Sequence, residues 1–261
     1  MILVLDVGNT NIAVGVYPSD RPSPGPAPVH FWRLPTRRDA TGDELGIQLR
    51  SLLQSSNLPV SLIKGAAVAS VVPSLDAPLH EAVSRHVGVR PLFVGPGVRT
   101  GVRNLYKPPS DVGADRLVNA AAAYARIKGA CLIVDFGTAT TVDAVDRRGA
   151  YLGGAIVPGP KMAAEALARG TAKLPLLEEI VRPPRVLGRT TRESLASGLF
   201  YGYAGLVGEL VRRMKSELGG SPAVLATGGL AGIWAPAVPG IKEVAPFLTL
   251  EGLWLVWKKN R

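Results

Sequence analysis

The sequence predicts an α/β protein made of two related halves, and three observations carry that prediction. The first is a repeat: residues 2–17, ILVLDVGNTNIAVGVY, and residues 131–146, CLIVDFGTATTVDAVD, share one design. Each is an apolar run, then Asp-x-Gly with small hydroxyl or amide residues, then a second apolar run; in register, Asp6 stands over Asp135, Gly8 over Gly137 and Thr10 over Ala139. The second is the alternation of short apolar segments with amphipathic ones over residues 60–95, the spacing of strands and helices packed in layers. The third is size, since 261 residues of 47% apolar composition can fill one large core or two ordinary ones.

Each copy of the repeat reads as a β-hairpin, because Asp, Gly, Thr and Asn at its tip tolerate tight turns. Residues 18–28, PSDRPSPGPAP, hold five prolines in eleven positions, which excludes helix and central strand and leaves a surface loop or a polyproline-like excursion. HFWRL (30–34) is a third strand with Phe31 and Trp32 on opposite faces. Thr41-Gly42-Asp43-Glu44 is a capping box that opens a helix running to about Leu53. GAAVASVV (65–72) is a buried strand stopped by Pro73, Ser74 opens the helix SLDAPLHEAVSRHV, and PLFV (91–94) returns to the sheet. From Gly113 the run GADRLVNAAAAYARIKG is helical, with Gly129 as its C-cap, and the boundary between the halves falls near residue 117, giving domains 1–117 and 118–261. After the second hairpin, YLGGAIVPGP (151–160) is a strand, KMAAEALARGTAKLP a helix and loop, and Thr191 to Leu218 one long helix with apolar residues every three or four positions. AVLATGG (223–229) is a strand entering a glycine turn, and LTLEGLWLVWKKN closes the chain as a helix whose Trp254 and Trp257 are core or interface anchors.

Composition narrows the classes. No apolar run reaches the roughly 18 residues that span a bilayer, and MILVLDVGNT has no basic leader and is interrupted by Asp6, so neither a membrane span nor a signal peptide is expected. One cysteine, Cys131, excludes an internal disulfide and fits a reducing, cytoplasmic compartment. The net charge of +10 is compatible with nucleic acid, with acidic small molecules or with an arginine-rich solvated surface. No run of five Lys and Arg and no zinc spacing occurs, which disfavours sequence-specific nucleic-acid binding. His80 and His86, six apart, fall on different helix faces and share no metal.

The tips carry the chemistry. A glycine without Cβ lets the main chain approach an anionic oxygen, neighbouring N–H, Asn and Thr donors surround a phosphate, and the carboxylate is left for a metal. One such tip is as consistent with an ordinary turn. Two, the second comprising Asp135, Gly137, Thr138 and Thr140, would cradle one polyphosphate in a cleft between the halves. Thr227-Gly228-Gly229 is a turn that could bring backbone to a base or ribose, and residues 106–116, YKPPSDVGADR, add an aromatic residue, a carboxylate and an arginine at a helix start.

Duplicated phosphate hairpins of this kind resemble the actin, sugar kinase and Hsp70 superfamily, which grips ATP between two actin-like (ribonuclease H-like) domains. Within it, DVGNT at the N-terminus, the Y-x-x-P-x-x-x-G-A-D-R string, DFGTATT, GGAIVPG, T-x-x-S-x-x-S-G and TGG, in order over nearly the whole length, resemble the type III pantothenate kinases. That resemblance implies ATP-dependent phosphorylation of the primary hydroxyl of pantothenate, the first step towards coenzyme A. It assigns Asp115 as proton acceptor, with Tyr106, Gly113, Ala114, Asp115, Arg116 and Thr191 against pantothenate. Asp6, Val7, Gly8, Asn9, Thr10, Asn11, Ile12, Ala13 and Thr138 would bind ATP, with Asp6 on the magnesium side and Asp135 holding potassium or ammonium. A homodimer is implied, the helices at 118–125 and 191–210 being candidates for its surface. The family often has Asn where this chain has Thr190, so the choice between Thr190 and Thr191 as the substrate contact stays open, and the 18–28 insert has no counterpart. Two other readings remain, a regulatory or nucleic-acid-associated protein on the same scaffold and a kinase of another small alcohol. Three carboxylates, Asp6, Asp115 and Asp135, argue against the first; only residues 106–116 and Thr191 bear on the second.

Overall fold

The first repeat folds as a hairpin. In this computed structural model, which describes every residue except Pro22, Pro24 and Pro26, β1 (Ile2–Val7) and β2 (Asn11–Tyr17) pair antiparallel, Ile2 opposite Tyr17 and Val7 opposite Ile12. The loop expected over 18–28 therefore lies partly outside the described residues. β3 (His30–Pro35) adds antiparallel to β2. α1 (Gly42–Ser55) opens as expected: the Glu44 N–H donates to Thr41 Oγ1 (3.2 Å) and the Thr41 N–H to Glu44 Oε2 (2.8 Å), pairing two amides that the helix itself cannot satisfy. β4 (Gly65–Ser70) lies parallel to β1. The next helix does not start on a Ser74 cap; a short 3₁₀ turn, Pro73–Leu75, leads in, since proline loses nothing where no N–H is needed, and α2 (Asp76–Glu81) and a wider turn, Ala82–Val87, follow. β5 (Pro91–Phe93) completes a sheet of order β3-β2-β1-β4-β5.

The remaining elements are β6 (Arg103–Asn104), α3 (Ala114–Ile127), β7 (Cys131–Phe136), β8 (Ala139–Val145), β9 (Ala150–Pro158), α4 (Pro160–Gly170), α5 (Thr191–Ser197), α6 (Tyr203–Leu218), β10 (Ala223–Thr227), α7 (Ala231–Trp234), β11 (Glu243–Val244) and α8 (Leu248–Lys259). Their sheet runs β11-β10-β7-β8-β9, with β6 beside the start of β9. Strand for strand this reproduces the first sheet, β7 for β1 and β10 for β4, so the repeat seen in the sequence as two hairpins extends to two whole sheets. The long helix at 191–218 is one helical run with a wide turn, Gly198–Gly202, between α5 and α6. At the end of α3 the left-handed residue is Lys128 (φ 51°), not Gly129.

The chain divides into two compact units, one of residues Met1–Arg126, Gly149–Tyr151 and Phe247–Arg261, the other of Ile127–Arg148 and Leu152–Pro246. This division is not the expected one at 117/118, and packing supplies the reason. Successive residues of β1 point to opposite sheet faces: Leu3 and Leu5 meet α1 and α2 through Leu45, Leu49 and Leu79, while Ile2 and Val4 join Val118 of α3 and Leu250, Leu253 and Trp254 of α8. α8 comes so close to α3 that a Cβ at Gly252 would stand 2.1 Å from the Val118 carbonyl oxygen. Both helices are thereby fixed to the first sheet. Trp254 is fully buried and donates its indole N–H to the Pro18 carbonyl (2.8 Å), the core role expected of it. The second unit has its own core of Leu132, Val134, Phe136, Val142, Phe200, Tyr203, Val207 and Trp234.

Candidate active site

The first tip is closed by a hydrogen bond from the Gly8 N–H to the Asn11 carbonyl (3.0 Å), and the second by one from Gly137 to Ala139 (3.1 Å). Asp6 lies opposite Ala13, whereas Asp135 lies opposite Thr141. The second tip is thus one residue shorter, and Ala139 occupies the place of Asn11 rather than of Thr10. Asp6 over Asp135 and Gly8 over Gly137 hold; the register beyond them is set by the turn hydrogen bond, which equal spacing in sequence does not reveal.

In the first tip Asn9, Thr10 and Asn11 are exposed and Asp6 half-buried, while Val7 and Ile12 point into the core, leaving only their backbone to meet a ligand. Ala13 is half-buried against the α3–α8 side. A neighbouring segment braces the tip: the Thr36 N–H donates to the Thr10 carbonyl (3.0 Å), Thr36 Oγ1 to the Gly8 carbonyl (2.6 Å), and Arg38 Nη2 to Asn9 Oδ1 (3.0 Å).

Asp115 stands in the first turn of α3, where its Oδ1 accepts from the Arg116 N–H (2.8 Å). Gly113 precedes the helix and accepts its first backbone bond, from Leu117 (3.3 Å). A Cβ at Gly113 would lie 2.4 Å from Asp115 Oδ1, so no other residue leaves the carboxylate where it is. The same Cβ would touch Val71 Cγ1 (3.8 Å), and the Val71 N–H donates to the Val7 carbonyl (3.0 Å). Through Val71, the start of α3 and the first tip meet at the same end of β1.

Tyr106 is half-buried, its N–H donated to Asn104 Oδ1 (3.0 Å) while Asn104 Nδ2 donates to the Pro109 carbonyl (2.9 Å). Arg116 is only 6% exposed, its guanidinium carbon 5.9 Å from the Tyr106 ring centroid and 5.8 Å from that of Tyr151. Expected as a substrate contact, Arg116 spends much of its surface on two aromatic faces. Tyr151 and Asn104 are parts of this arrangement that sequence reasoning missed; Tyr151 sat beside the GGAIVPG string, read there only as strand.

In the second unit Asp135 lies in a cradle of glycines. A Cβ at Gly228, whose φ of +91° already favours glycine, would come 2.4 Å from Asp135 Oδ1 and 2.7 Å from the Phe136 carbonyl oxygen, and one at Gly137 3.6 Å from the carboxylate. Thr227 pairs with Asp135 across β10 and β7, so the TGG turn and the second tip do come together. Thr138 is exposed at the tip, and its carbonyl accepts from Gly159 (3.1 Å), the residue that opens α4. Thr140 is fully buried and accepts from the Tyr203 hydroxyl, a packing role rather than the phosphate contact expected.

Residues 2–213 match the family described as Type III pantothenate kinase. The chain belongs to the type III pantothenate kinase family. A relative so named from Anaeromyxobacter sp. (strain Fw109-5) is 48% identical over 261 residues, all of both chains, and another from Geobacter sulfurreducens is 45% identical over the same span. Among solved structures, the activator of the 2-hydroxyisocaproyl-CoA dehydratase from Clostridium difficile with bound ADPNP aligns with a TM-score of 0.56 at 14% identity, over 99% of this chain and 94% of that one. A ROK family glucokinase from Streptomyces griseus in complex with glucose and AMPPNP aligns with a TM-score of 0.54 at 14% identity, over 98% and 97%. At such identities the likeness is one of fold, the actin-like ATPase and sugar kinase fold that the paired hairpins led us to expect.

As a type III pantothenate kinase the chain is a phosphotransferase at the first step of coenzyme A biosynthesis, and its cation chemistry must fit the side chains present. Among the described residues no group of three or more His, Cys, Asp or Glu could hold a metal ion. A cation at either tip would have one carboxylate, backbone oxygens such as the Phe136 carbonyl, and the remainder from water or phosphate, a donor set that suits magnesium kept partly hydrated or an alkali cation. Of the two threonines left open, Thr190 caps α5 by accepting from the Glu193 N–H (3.2 Å), while Thr191 is the exposed first residue of that helix. Asp143 also escaped the sequence reading because it sits inside an apolar run; it is fully buried and accepts from Thr141 Oγ1 (2.9 Å).

Proposed function

We propose that the pantothenate kinase reaction of this family runs here with Asp115 as the acceptor of the hydroxyl proton and the residues of the Asp6 tip as donors to the ATP phosphates. The observation that supports this most is the meeting of the first tip and the α3 start through Val71, at the same end of β1. Phosphoryl transfer to an alcohol asks for donors around the transferring group, an in-line hydroxyl, and a carboxylate to take the proton late. The exposed Asn9, Thr10 and Asn11 would supply the first, with Gly8 letting the main chain come close; Tyr106, Gly113, Ala114 and Thr191 would orient pantothenate for the second. Arg116 packs against the rings of Tyr106 and Tyr151, and its full positive charge would favour the anionic acid nearby. Asp6 takes the magnesium side, and Asp135 with Thr138 takes a monovalent cation, potassium or ammonium, and the nucleotide; when bound, these cations neutralise phosphate charge.

The test is ATP turnover with pantothenate against a panel of other small alcohols, with and without potassium. Pantothenate alone should be phosphorylated, faster with potassium; turnover with a different alcohol would replace the substrate assignment. We further propose a homodimer. Gly198, Gly202 and Gly205 are exposed, and a Cβ at each would meet nothing within 4 Å, which suits a closely approaching neighbour. Of the 118–125 segment, residues Val118–Ala123 are buried in their own unit, which leaves only Tyr124 and Ala125 of it at the surface. Gly202→Glu should yield a monomer in sedimentation velocity. The cytoplasm is the compartment proposed, where ATP is made available and the free thiol of Cys131 stays reduced.

A further inference from the structure

Residues 6–13 of the first tip are Asp, Val, Gly, Asn, Thr, Asn, Ile and Ala, without a single cationic side chain. A nucleotide polyphosphate brings several negative charges to that tip, and Asp6 adds another. Neutral amide and hydroxyl donors orient phosphate oxygens but do not balance their charge, and a magnesium ion offsets only part of it. The segment after β3 supplies what is missing. Thr36 is bonded twice to the tip, through its N–H to Thr10 (3.0 Å) and its hydroxyl to Gly8 (2.6 Å), and this lays residues 36–38 alongside it. Two residues on, Arg38 reaches the tip itself and donates Nη2 to Asn9 Oδ1 (3.0 Å). Its neighbour Arg37 turns instead to Glu44 (3.2 Å) at the start of α1.

We propose that Arg38 is a phosphate-binding residue of the nucleotide site, aimed by Asn9 at the β- and γ-phosphate oxygens of ATP. The inference rests on the reading of the first tip as the phosphate-binding one. A guanidinium has five N–H donors in a planar fork, so the bond to Asn9 fixes its direction and leaves other donors for phosphate oxygens. Arg38 is exposed, as a group awaiting an incoming anion must be. Its contribution falls on the phosphates alone, so it should discriminate ATP and ADP from the nucleoside.

Equilibrium binding by calorimetry, with magnesium present, tests this on the intact chain. Arg38→Ala should weaken ATP and ADP by about ten-fold or more, the loss expected for a charge-assisted hydrogen bond, and leave adenosine unchanged. Arg38→Lys should recover part of the affinity, keeping the charge without the fork, and Arg37→Ala should bind all three like the parent. Both sites are exposed, and matching melting temperatures would establish that the variants fold. If Arg38→Ala binds ATP like the parent while Asp6→Asn alters ATP affinity, the role of Arg38 is refuted and the tip reading stands. If neither changes ATP affinity, the tip reading falls with it. Equal losses for ATP and adenosine in Arg38→Ala would also overturn the inference, since the damage would then not be specific to phosphate.

Discussion

Gly113 and Asp115 show how much one missing Cβ decides. With 2.4 Å between a Gly113 Cβ and the Asp115 carboxylate, Gly113→Ala must displace the proposed proton acceptor, and a shift of that order should lower kcat by about a hundred-fold with the melting temperature nearly unchanged. Steady-state kinetics beside a thermal melt would check both halves. Burial pushes the Cys131 thiol up to about 12, so at pH 8 it is a protonated, inert side chain; a thiol reagent should label it only after denaturant is added. On the surface, the hydrogen bond from His86 (2.8 Å), and then the charge of Arg85, hold the Asp43 carboxyl below its usual range. Because its folded value is the lower one, this pairing stabilises the fold above the unfolded pKa of about 4 and loses its effect as the pH falls through the folded value. Asp43→Asn should accordingly be less stable than the parent at pH 6, with the difference shrinking as the pH falls below about 4, as followed by urea denaturation.

At the scale of elements, what the sequence made legible was whatever is local. The α1 capping box needs only Thr41 and Glu44 at the right spacing, and it forms as read; Thr41→Ala should cost about 1 kcal/mol of stability, measurable by chemical denaturation. The two hairpins were legible for the same reason. The shorter second tip was not, because whether Gly137 bonds to Ala139 or to the residue after it depends on turn geometry and not on residue type. Gly129 lost its expected capping place to Lys128, which carries the left-handed turn despite its side chain. Thr140 looked like a phosphate donor by composition, but strand alternation turns it inward to Tyr203. Nor could composition show that Arg116 lies over the rings of Tyr106 and Tyr151, since Tyr151 is distant in sequence.

The whole molecule repeats one plan twice, two sheets of matching strand order, each with an Asp-x-Gly tip. That plan was foreseeable from the repeat. The membership of the units was not, because the last helix returns to the first sheet after more than a hundred residues elsewhere, a long-range packing choice that no local pattern encodes. Gly252 is where this choice is enforced. Gly252→Ala sets a methyl group 2.1 Å from the Val118 carbonyl and should destabilise the fold by about 1–3 kcal/mol, seen as a lower melting temperature. Since Val118 is one turn along the helix from Asp115, kcat should fall in the same variant.

The proposed reaction turns on the carboxylate at the start of α3, and its most direct test is the rate of phosphopantothenate formation by Asp115→Asn under saturating ATP and pantothenate. The expected result is a loss in kcat of about 10²–10⁴-fold with ATP affinity retained. Turnover equal to that of the parent would contradict it.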